Sequence, residues 1–164
     1  MEREPLYGLR DWAERYRLEL LNIDHNQIKF LNDDRVGRAL DHLYDADRAA
    51  LLTEIAVKAI IEFNLNTSQL HNDSSSITFS GNYSNANGDK KRGKKSLKIT
   101  HGHNKDHRPD LKQLLWILTV TADGAVPIHY RACDGNTTDS PTHITTWNIL
   151  REIVGRSDFM YVAD

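Results

Sequence analysis

The most constraining stretch of this chain runs from Leu111 to Ala132, LKQLLWILTVTADGAVPIHYRA. Leu114–Val120 is apolar on both faces, as in a central strand covered on both sides. Asp123-Gly124 then gives a hairpin turn signal. Val126–Ala132 returns as a second strand, with Pro127 at its start, where proline is tolerated. A chain with a hairpin this apolar at its centre must build a sheet and cover it.

Further elements fall on either side. Ser76–Phe79 reads as a strand, and Gln69–Phe79 as a longer one that Asp73 interrupts. Asp is depleted in strands because its short side chain competes for backbone hydrogen bonds. Asp73 therefore marks either a turn before a strand or an oxygen ligand for a hard cation held on one. Ser96–Thr100 reads as a short strand. Downstream, Asp134-Gly135-Asn136 turns the chain, and Ser140 caps a helix with Pro141 at its first position. Ile144, Trp147, Leu150, Ile153 and Val154 form the stripe of that helix, which Gly155 ends. Phe159–Ala163 is a last short strand before Asp164.

The order predicts an α/β (α+β) fold with three antiparallel strands, a crossover helix, and a fourth strand parallel to the first. That topology sets the fourth strand beside the first, with Asp164 at its end and Asp73 on its neighbour. Adjacent strands lie about 4.8 Å apart, so two carboxylates there could share divalent ions. Asn136 and Asp139 follow the third strand and read as turn and cap residues that could line such a site.

The first 66 residues read as helical. Leu9, Trp12, Tyr16 and Leu20 predict a helix over 9–20. Asn32-Asp33-Asp34 is an N-cap cluster, with Val36, Leu40 and Leu43 on one face behind it. Asp45 or Asp47 caps a second helix with the stripe Leu51, Leu52, Ile55, Ala56, Ala59, Ile60 and Phe63. Residues 33–64 thus read as a helical pair. The second helix offers only Arg48 and Lys58 as exposed cations, which argues against a recognition helix for DNA.

Charge and cysteine content narrow the classes. Net charge is −2 over 164 residues, so a nucleic-acid role needs local charge. Lys90, Lys91, Arg92, Lys94 and Lys95 supply it, in a segment that reads as a loop suited to phosphate contact. The single cysteine, Cys133, excludes an internal disulfide and a cysteine-based zinc cluster. His101, His103 and His107 lack metal-site spacing, and Pro109 forbids a helix through them. Asp106, Arg108 and Asp110 read as a charge network fixing that loop. With no apolar span and no signal peptide visible, the expected location is cytoplasmic.

The segments LHNDSSSITF, NKDHRPDLKQL, ADG, DGNTTDS and YVAD, with DDRVGRALDHLYD upstream, together resemble the DDE transposases of bacterial insertion sequences (the IS-four-like group). The resemblance implies a helical region over 1–66 and, over 67–164, the N-terminal part of an RNase H-like catalytic domain. It implies that Asp73 and Asp164 are catalytic metal ligands for two Mg²⁺ or Mn²⁺ ions. The reaction it implies is phosphodiester cleavage and strand transfer at transposon ends and target DNA. The family's third ligand is a glutamate on a helix further downstream, so this chain by itself is expected to be inactive. An inert or DNA-binding-only remnant is the alternative. The implied partners are DNA and, for the full-length family, a second copy in a homodimer; no membrane and no small-molecule substrate is expected.

Overall fold

A computed structural model describes residues 5–163. The chain divides into two compact units, one up to Arg48 and one from Ala49 onward.

The first unit holds α1 (Leu9–Glu14), α2 (Asp33–Asp45) and short 3-10 turns at Leu6–Gly8, Leu18–Leu21 and Ile28–Phe30. The helix expected over 9–20 stops at Glu14. Arg15 N–H turns back to the Trp12 carbonyl, and Arg17 is extended. On a continuous helix Leu18 would lie about 140° round from Ala13, five residues being about 500° of rotation. The break lets Leu18 join Ala13 in the interior instead. Asn32 does cap α2, its Oδ1 accepting from Arg35 N–H at 2.9 Å.

α3 (Arg48–Glu62) begins directly after Asp47 and belongs to the second unit from Ala49 onward. Ile60 from its stripe packs on the core. Phe63 does not; it follows the last helical turn, just before the left-handed Asn64, and is 72% exposed. Four strands follow in one sheet: β1 (Gln69–Phe79), β4 (Lys112–Thr121), β5 (Pro127–Cys133) and β6 (Met160–Ala163). Between β1 and β4 lie the two-residue strands β2 (Lys90–Lys91) and β3 (Lys94–Lys95), which pair only with each other. The four-stranded order is β5-β4-β1-β6. β1 runs antiparallel to β4 and parallel to β6. The fold is therefore a mixed α+β arrangement with the topology expected from the sequence.

Asp73 lies inside β1, opposite Leu118, so the reading of a turn before Ser76 does not hold. The strand forms despite its Asn-Asp-Ser text because it is central. β4 pairs it from Leu70 to Phe79, β6 pairs Gln69–Asn72, and Asn72 accepts from Thr119 Oγ1 across the buried face at 2.8 Å. Tertiary pairing here overrides weak strand propensity. Ser96–Thr100, by contrast, makes only isolated bridges, Asn87 with Lys98 and Thr100 with Gln113.

α4 (Ser140–Val154) crosses from β5 to β6. Leu70, Ile128, Leu150 and Phe159 form the core beneath it, joined by Trp147, Val154 and Tyr161. Two expectations about α4 fail. The cap position is Asp139, with Ser140 already helical. Ile144 is 73% exposed, while Thr142 and Thr146 are buried in line with Leu150 and Ile153. That line steps by four, four and three residues, and Ile144 sits about 200° round from Thr142. Gly155 ends the helix in the left-handed conformation, as expected.

Candidate functional site

The site is assembled where two loops meet the start of β4. Gln113 is fully buried there. Its amide donates to the Gly135 carbonyl at 2.8 Å and to the His103 carbonyl at 3.1 Å. One side chain thus ties the 101–110 loop to the turn after β5. A Cβ at Gly102 would stand 2.0 Å from the Gly135 oxygen, and one at Gly135 would stand 2.0 Å from the Gln113 oxygen. Only glycine permits both approaches.

Asn104 shapes the loop itself. Its Oδ1 accepts from Asp106 N–H at 2.8 Å and from Arg108 N–H at 3.2 Å. Arg108 grips Asp110 through two bonds, at 2.8 and 2.6 Å, and this guanidinium holds the Asp110 carboxyl below its ordinary range. The expected charge network is therefore Arg108 with Asp110, while Asp106 joins the loop through its backbone.

This loop delivers Lys105 onto β1. The Lys105 backbone N–H donates to Ser76 Oγ at 3.1 Å, and its ammonium donates to the Ser74 carbonyl at 2.6 Å. The same Nζ lies 3.7 Å from Asp73 Oδ1 and 3.4 Å from Asp139 Oδ2. Asp139 does not cap α4 with its side chain; its carboxylate turns to Lys105, and Thr142 binds its carbonyl instead. Three oxygens from two segments thus surround one cation. The Asp73 side chain is 71% exposed, while those of Lys105 and Asp139 are about one-third exposed. Asp73 also borders a shallow hollow in the sheet with His71, Ser75, Trp116, Leu118, Val120 and Val162.

Of the two expected metal ligands, Asp73 is thus placed on β1, one residue beyond its last registered pair with β6. Asp164 lies outside the described residues, and the last registered pair of β1 and β6 is Asn72 with Ala163. Asn136 is exposed in its turn and is not among the hydrogen-bond or ion-pair partners of Lys105. Lys105 was missed in the sequence because nothing there places it near Asp73, 32 positions away. Among the described residues, no group of three or more His, Cys, Asp or Glu is placed to hold a metal ion.

The basic segment is a structured hairpin and not a loop. Lys90 pairs with Lys95 and Lys91 with Lys94, around Arg92-Gly93 with φ values of 49° and 79°. Positive φ at both central residues is the geometry of a tight two-residue hairpin turn. Asp134 anchors its base, accepting from Lys98 N–H at 2.9 Å and lying 3.7 Å from Lys95 Nζ. In α3, Lys58 is paired with Glu54 at 2.8 Å.

Among the described residues, no helix is long and apolar enough to cross a membrane. Residues 1–57 match the model of a family described as a domain of unknown function (DUF4277), a stretch that ends before β1 and before every residue of the site. No curated protein and no solved structure matches the chain.

Proposed function

We propose that the second unit is part of a metal-dependent DNA strand-transfer domain of the DDE transposase kind, with an RNase H-like sheet. The observation that carries this reading is the convergence of Asp73 and Asp139 on one cation beside the parallel β1–β6 pair. These donors suit Mg²⁺ or Mn²⁺: they are hard oxygens, and the ammonium among them marks a place that favours positive charge. Mg²⁺ keeps several waters, so a small carboxylate set suffices to hold it. Asp73 and Asp139 would hold such an ion, with Asp164 as a further ligand. When bound, the metals activate the attacking oxygen and stabilise the leaving oxygen of a phosphodiester. The chain's own part is to fix the carboxylates on β1 and at the start of α4, and to present the hairpin cations Lys90, Lys91, Arg92, Lys94 and Lys95 to the DNA backbone.

A second reading has its own support. Lys105 already neutralises the carboxylates, which suits a chain that binds DNA without cutting it. Titration with Mn²⁺, followed by electron paramagnetic resonance, tests the main reading. Saturable binding that disappears in Asp73→Ala supports it. A protein that binds DNA but takes up no Mn²⁺ leaves the DNA-binding reading in its place.

A further inference from the structure

Lys105 is held at both ends by the strand that carries Asp73. Its backbone N–H is fixed to Ser76, and its ammonium to the Ser74 carbonyl, Asp73 and Asp139. Without a cation there, the two carboxylates would repel across the gap between β1 and α4. An ammonium is a compact point charge on a flexible stem with three donors, and here it has three oxygens to serve. The stem can swing away while the backbone anchor at Ser76 stays.

We propose that Lys105 is a resident counter-cation: its ammonium holds Asp73 and Asp139 together in the metal-free protein, and a divalent cation must displace it to bind. The inference rests on the reading of Asp73 and Asp139 as the metal-binding pair. It makes Lys105 a positioning and gating residue whose effect is seen in metal affinity. Because the group is one-third exposed, the competition is modest.

The test compares Mn²⁺ affinity in wild type, Lys105→Gln, Lys105→Arg and Lys112→Gln. Lys112, bonded to the Asn82 carbonyl, serves as the control for loss of a positive charge elsewhere. The expected result is affinity tightened about two- to fivefold in Lys105→Gln, the range a partly exposed ion pair allows, and little changed in the other two. A separate readout needs no variant. Acylation of Lys105 in the wild-type protein, followed by mass spectrometry, should rise on adding saturating Mg²⁺.

Equal affinities for wild type and Lys105→Gln, with binding still lost in Asp73→Ala, overturn the counter-cation role and leave the metal site standing. Weaker binding in Lys105→Gln also overturns it, since the lysine would then be building the site. If Lys105→Gln does not fold, the labelling decides: acylation insensitive to Mg²⁺ sinks the proposal. Absence of Mn²⁺ binding in every protein sinks both the proposal and the metal reading.

Discussion

Gln113 Nε2 and the Gly135 carbonyl oxygen lie 2.8 Å apart in the interior, and with the second bond of Nε2 to the His103 carbonyl this contact joins the loop of Lys105 to the turn leading to Asp139. The contact is close because neither Gly102 nor Gly135 has a side chain. Gly135→Ala would drive a Cβ into the Gln113 carbonyl oxygen. The backbone must move, at a cost of about 1–3 kcal/mol or more. Gln113→Ala removes a donor from two carbonyls and leaves a void, for a loss of about 2–4 kcal/mol. Urea denaturation measures both. A midpoint unchanged in Gly135→Ala would show that the approach is looser than described.

The basic hairpin makes a prediction about DNA. Replacing Lys90, Lys91, Arg92, Lys94 and Lys95 with Gln should lower the log–log salt slope of DNA binding by up to about 4–5 if all five meet phosphates. Affinity should fall alike for unrelated sequences, since phosphate contacts carry no base information. Fluorescence anisotropy across a salt series gives the slope. No change in slope would assign the hairpin to solvent.

Acid should weaken the second unit through His129. Burial, reinforced by the Arg131 charge, lowers the pKa of this imidazole below its ordinary value. A depressed pKa in the folded state means that the unfolded chain binds the proton more readily. The stability contribution is therefore present above the unfolded pKa of about 6.5 and is lost as pH falls through the folded value. His129→Gln should flatten the fall in unfolding free energy between about pH 7 and pH 5. A parallel fall in both proteins would place the pH dependence elsewhere.

Cys133 should be inert in the folded protein. It is buried beside Leu115 and Ile117, and desolvation pushes its thiol pKa up. Thiol reagents need the thiolate and access to it, so native labelling should be more than about tenfold slower than labelling in urea. Rapid native labelling would mean that the β4–β5 edge opens readily.

The sequence by itself determined the strand order, because hydrophobic runs, turn signals and one crossover helix leave few topologies open. The Asn32 cap and the Gly155 stop are local devices, and local chemistry decides them. It also singled out Asp73 as a misfit in its strand. The tertiary structure alone decided which partners Asp73 has. Lys105 reaches it because Gln113 and two glycines draw separate loops together, and long-range packing leaves no period in the sequence. The same holds for Asp139, whose position reads locally as part of a helix start. Its carboxylate faces an ammonium 3.4 Å away, a charged partner, and not the cap, while Thr142 Oγ1 donates to its carbonyl. The buried line of α4 was likewise set by the sheet beneath it, which takes Thr142 and Thr146 and leaves the larger Ile144 in solvent.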